Sequence, residues 1–183
     1  FLDDAAINLP AECSILIRHQ ENLGLAQTLL DGYKAALLLR GKPDLIVRID
    51  CQEHDVGMIP RAVEHIDRTA ADSLFLPVWY WVEGETCPPM RQISRLIADF
   101  SEALAPVDDT VVLATFNQKF PMGYQVYRRE MLEKLLPQLK RGVAIFQEIT
   151  GKPATWGFDL LAILLAAKEN PEGIDFLFGG WST

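Results

Sequence analysis

Two short stretches of the chain gather carboxylates. Asp3-Asp4 follows Phe1-Leu2, and Asp50-Cys51-Gln52-Glu53-His54-Asp55 follows Arg48-Ile49. Oxygen ligands clustered where strands end suit a hard cation such as Mg²⁺ or Mn²⁺. Such a cation can bridge acidic side chains to a diphosphate. The alternative for the same residues is a set of solvated loop acids and helix caps. Zinc chemistry is not indicated, because the three histidines are scattered and Cys13, Cys51 and Cys87 stand at no metal-binding spacing.

The elements that must position these acids follow from the hydrophobic pattern. Ser14-Ile15-Leu16-Ile17-Arg18 is a short β-rich run. Asn22 can cap a helix with Leu25, Leu29, Leu30, Tyr33 and Leu37 at helical spacing, ended by Gly41-Lys42-Pro43. Asp44 to Ile49 is an almost continuously apolar strand. Ile59, Val63 and Ile66 mark a helix, and Ser73 to Leu76 starts a strand. Ile93, Leu96, Ile97 and Phe100 mark another helix, opened by Pro88-Pro89. Thr110 to Ala114, a β-branched run, reads as a strand. A helix begins near Arg128 with Met131, Leu132, Leu135 and Leu136, and another covers Leu160 to Lys168. Gly173 to Phe178 reads as a strand. This alternation predicts a layered α/β fold with a largely parallel sheet. Ligands in such sheets sit beyond the carboxyl ends of strands. That rule selects the residues after Leu2 and after Ile49.

Composition limits the functions open to the chain. At 183 residues it is close to one domain, and 49% hydrophobic residues with 23% charged can bury a real core. Lys+Arg 17 against Asp+Glu 25 gives a net charge of −8. Nucleic acid and anionic lipid would be repelled at long range, so the chain is a poor general binder of either. A phosphorylated ligand needs local cations or a metal. No apolar run approaches the roughly 18–20 residues needed to span a bilayer. The opening Phe1-Leu2-Asp3-Asp4 carries no basic n-region, and the odd cysteine count fits reduced thiols in the cytoplasm. The missing initiator Met and the abrupt opening read as a fragment trimmed at both ends.

Five segments, in order, resemble family 2 glycosyltransferases of the GT-A fold, most closely the polyprenyl- or dolichyl-phosphate sugar synthases. Phe1-Leu2-Asp3-Asp4-Ala5-Ala6 resembles V-V-D-D-G-S. Arg18 to Ala26 is similar to R-x-x-x-N-x-G-x-A. Arg48 to Asp55, with Ile59-Pro60 after it, resembles L-D-A-D-x-Q-H-x-P-x-x-I-P. Pro121 to Glu130 is similar to S-G-F-x-x-F/Y-R-R-E, and Trp156-Gly157-Phe158-Asp159 to G-[WY]-G-F-[DE]. Each is moderately specific; five in sequence is stronger.

The resemblance implies a single glycosyltransferase-like domain over residues 1–183, a three-layer sandwich around a mostly parallel sheet. It implies transfer of one sugar from a nucleotide-diphosphate sugar, with inversion, to a hydroxyl or a lipid-phosphate acceptor such as polyprenyl phosphate. Asp3 or Asp4 would meet the base or ribose. Asp50, with Glu53, would hold Mg or Mn against the diphosphate, stabilising charge on the leaving group. Asp159 is the implied general base, needed for a hydroxyl acceptor but not for an anionic phosphate. Arg128 and Arg129 could contact a phosphate through forked hydrogen bonds; the alternative is a helix-surface pair beside Glu130. Thr115 to Phe120 would be an acceptor loop. The implied location is the cytoplasm, with peripheral association at the membrane's cytoplasmic face. The chain also departs from the pattern. Ala5-Ala6 replaces Gly-Ser, the second metal-motif aspartate is absent, Val78-Trp79-Tyr80 stands for S-R-Y, and Met122 replaces Ser. These departures support a second reading, a catalytically degenerate relative that binds a sugar nucleotide or a protein partner without turnover.

Overall fold

The computed structural model describes residues 17, 19–49, 57–77, 109–116 and 122–176. In chain order the elements are α1 (Leu25–Leu37), β1 (Leu45–Ile49), α2 (Met58–Thr69), β2 (Ser73–Pro77), α3 (Asp109–Phe116), β3 (Met122–Arg128), α4 (Arg129–Thr150), α5 (Phe158–Glu169), a 3₁₀ turn (Pro171–Gly173) and β4 (Ile174–Phe176). The runs expected at Ser14–Arg18 and Ile93–Phe100 fall largely or wholly outside the described residues.

The four strands form one sheet in the order β1-β3-β2-β4. β3 pairs antiparallel with both β1 and β2, while β2 and β4 are parallel. The chain is therefore α/β, but the described sheet is mixed rather than mostly parallel. Two segments depart from the expected pattern. Residues 122–128 form a strand that the pattern did not announce, and it runs opposite to the two strands it separates. Residues 110–114, expected as a strand, lie instead in α3. Val112, Thr115 and Phe116 fall at helical spacing and are buried, and the Phe116 ring packs 4.9 Å from that of Phe146 on α4. Burial of Val112 and Phe116 overrides the β preference of this stretch.

Alternation along the strands divides the core in two. Ile46, Phe75 and Tyr127 point to the face covered by α1, α3, α4 and α5. Leu74, Leu76, Tyr124 and Val126 point to the other face, against Met58, Ala62 and Ile66 of α2. α5 is apolar around its whole circumference, and every residue from Phe158 to Ala167 is buried. That is the expected position of a helix with no polar face. Among the described residues, no helix is long and apolar enough to cross a membrane.

Candidate functional site

The segment from Gly151 to Gly157 returns the chain from α4 to α5 and fixes where α5 begins. Gly151 ends α4 in the left-handed region, its N–H donating to the Gln147 carbonyl at 2.9 Å. Ala154 then accepts a hydrogen bond from the Ala26 N–H at 3.1 Å, joining this segment to the start of α1. Gly157 precedes α5 with φ +76°, and its carbonyl accepts the first helical bond, from the Leu161 N–H at 3.0 Å. Asp159 lies in the first turn, where the positive end of the helix dipole favours a carboxylate.

Asp159 points to the sheet, where β1 and β3 present Arg48 and Gln125 as directly paired residues. The Arg48 guanidinium donates to Asp159 Oδ1, and both side chains are buried. Gln125 Nε2 donates to the same oxygen at 2.9 Å. Gln125 Oε1 in turn accepts from two hydroxyls, Tyr33 at 2.8 Å and Tyr127 at 2.9 Å. The two tyrosine rings meet edge to face at 5.7 Å, and Tyr33 lies against Phe158.

The electrostatics of the cluster follow from its burial. Desolvation pushes the Tyr33 hydroxyl well above the ordinary phenol value, against the opposing pull of Arg48. Tyr127 is raised for the same reason, with Tyr33 adding to the effect. Both remain neutral donors at physiological pH. For Arg48, burial by itself favours loss of the proton. The adjacent Asp159 charge, with Tyr33 and Tyr127, outweighs it and raises the guanidinium above its usual value. The cluster is thus a buried cation and carboxylate joined to a polarised hydroxyl–amide chain.

Of the expected site residues, Asp159, Arg128 and Arg129 lie among the described residues. Arg128 and Arg129 lie at the opposite end of the sheet from the end of β1 that leads to Asp50, because Arg128 pairs with Leu45 and Tyr124 with Ile49. They also turn to opposite faces. Arg128 donates to the carbonyls of Ala71 at 3.0 Å and Ile66 at 3.2 Å, at the end of α2. Arg129 donates to the Leu37 carbonyl at the end of α1 and to Glu133 at 2.8 Å. These contacts suit anchoring of two helix ends. They do not converge on a common phosphate position. Asp3, Asp4, Asp50 and Glu53 lie outside the described residues, as do residues 117–120. Thr115 and Phe116, expected in an acceptor loop, are buried in the last turn of α3.

Arg48, Gln125, Tyr33 and Tyr127 were not singled out from the sequence as site residues. Arg48 did carry a signal, being the one charged side chain inside the apolar run Leu45 to Ile49. Among the described residues, no group of three His, Cys, Asp or Glu side chains is placed to hold a metal ion. Trp156, three residues before Asp159, is 54% exposed. No family model matches the chain, and neither a curated protein nor a solved structure matches it.

Proposed function

We propose that the chain transfers a single sugar from a nucleotide-diphosphate sugar to a hydroxyl or lipid-phosphate acceptor, by inverting displacement, as a family 2 glycosyltransferase of GT-A type acting in the cytoplasm. One observation carries the reading. The late acidic residue Asp159, on α5, meets the penultimate residue of β1, the strand that runs directly into Asp50. Two of the five family-like segments, far apart in sequence, are thereby joined at one end of the sheet. In this reading Asp3 or Asp4 contacts the nucleoside, and Asp50 with Glu53 holds Mg or Mn, whose charge stabilises the leaving diphosphate. Asp159 faces the acceptor.

A specific observation favours the second reading, a degenerate domain that binds without turnover. Asp159 accepts from both Arg48 and Gln125, and a carboxylate held in this way is a weak base. An acceptor that is already anionic reconciles this with catalysis, since a phosphate needs no base.

Turnover separates the two readings. Incubation of the protein with a panel of nucleotide sugars, Mn²⁺ and polyprenyl phosphate or a hydroxyl acceptor should release free UDP or GDP. Binding of a nucleotide sugar without any release, across the panel, would establish the non-catalytic reading instead.

A further inference from the structure

We infer that Arg48 is a positioning residue: it acts through Asp159, fixing the direction and the charge of that carboxylate at the start of α5. The inference rests on the glycosyltransferase reading for its reaction, and on the buried cluster for its geometry.

Three observations converge on it. First, the contact is specific. Arg48 sits on β1 directly opposite Gln125 on β3, and both donate to the same atom, Asp159 Oδ1. Two donors on one oxygen favour the ionised carboxylate and fix its rotation. Second, Gln125 is itself locked. Its carbonyl oxygen receives the Tyr33 and Tyr127 hydroxyls, so its amide nitrogen must face Asp159. A flipped amide would set its oxygen against the carboxylate. Third, the arrangement is buried on elements that cannot easily move. Arg48 and Gln125 lie inside a paired ladder, and Asp159 lies in a helix buried from Phe158 to Ala167. Groups held by rigid, packed neighbours are the kind that preorganised sites require.

The inference also explains an otherwise costly residue choice. A cation inside an apolar strand loses its hydration, and such pairs are often no more stabilising than well-packed apolar side chains. A structural strand would have been served by another Val or Ile at position 48. Among the described residues, the titratable groups that act on Arg48 are Asp159, Tyr33 and Tyr127. Of these Asp159 is the anion at neutral pH, and the Arg48 guanidinium donates to it directly.

The test compares Arg48→Met, Arg48→Lys and Gln125→Met with the unaltered protein, each checked for folding by circular dichroism. Sugar transfer to a hydroxyl acceptor by Arg48→Met should lose about 100-fold in kcat, the scale expected from a small misplacement of a reacting group. Its donor KM should stay close to that of the parent. Arg48→Lys should recover part of the lost kcat, and Gln125→Met should show the same kcat-selective loss if Arg48→Met does not fold. An unchanged kcat, or a loss confined to donor KM, overturns the inference. A second readout does not depend on turnover. The ¹³C carboxyl signal of Asp159 should titrate at higher pH in Arg48→Met than in the parent, and an unshifted titration overturns the inference even if no sugar donor is ever found. Absence of turnover in the parent with a shifted Asp159 titration would refute the transferase reading while leaving the positioning of Asp159 by Arg48 supported.

Discussion

Gly157 lies against the backbone of Thr115 so closely that a methyl group added to it would come within 2.0 Å of the Thr115 carbonyl oxygen. The residue also holds φ +76°, a region that L side chains rarely occupy. The junction between α3 and α5 therefore has room only for glycine. Gly157→Ala should lower unfolding stability by more than about 2 kcal/mol, since backbone strain and a backbone clash add together. Urea denaturation measures it. A loss below about 0.5 kcal/mol would show that the junction yields easily.

Arg48 and Asp159 should depend on each other for stability. Each is buried, so removal of one takes a directly bonded opposite charge from the other. Arg48→Met and Asp159→Leu should each cost about 3–5 kcal/mol, with the double variant losing much less than the sum. Chemical denaturation of the four proteins gives the coupling directly. Additive losses would mean that the two side chains do not interact in solution.

Alkaline pH should weaken the fold through Tyr33 and Tyr127. Burial raises both hydroxyls above the ordinary value, so their neutral forms are favoured in the folded state. A folded-state pKa above the unfolded one gives stability that is complete below about pH 10 and is lost as pH rises toward the folded value. The melting temperature should accordingly fall above about pH 10, the ordinary tyrosine value. Tyr33→Phe should flatten that fall, at a cost near neutrality of about 1 kcal/mol for the lost hydrogen bond to Gln125. A pH profile unchanged by Tyr33→Phe would remove Tyr33 as a contributor.

Asp50 is the residue on which the proposed cation site depends. Asp50→Ala should abolish Mn²⁺-assisted binding of a nucleoside diphosphate, read by calorimetry with and without the metal. Equal affinity for the variant and the parent would count against the metal role and leave the fold untouched.

The elements most legible in the sequence are those whose apolar spacing agrees with their final burial. α1, α2, α4 and α5 were expected from residues such as Leu30, Ile66, Leu135 and Leu164, each of which is buried. β1 and β2 were equally plain as short apolar runs. β3 was concealed because its inward positions carry Gln125 beside Tyr127, and a glutamine on a buried face resembles a loop residue until its partners are known. α3 was concealed by Val111-Val112 in the sequence, a β-branched pair that favours a strand locally, while burial of Val112 and Phe116 goes with a helix. The Arg48–Asp159 contact spans 111 residues of sequence, so no spacing rule reaches it. The adjacent Arg128 and Arg129 invited a shared role. Arg128 ends β3 and Arg129 opens α4, and their side chains go to opposite sides, one to the end of α2 and the other to the end of α1.

The enclosure of α5 has a consequence for the carboxylate at its tip. A helix with an open flank can absorb a changed side chain by letting it lean into water. Between Phe158 and Ala167 this helix has no such relief. A methylene added or deleted at Leu164, more than a turn from Asp159, must be taken up by tilting or sliding the rod as a whole. The aim of Asp159 toward Arg48 is thus a readout of core volume, and conservative repacking deep in the protein should detune the cluster before it unfolds the chain.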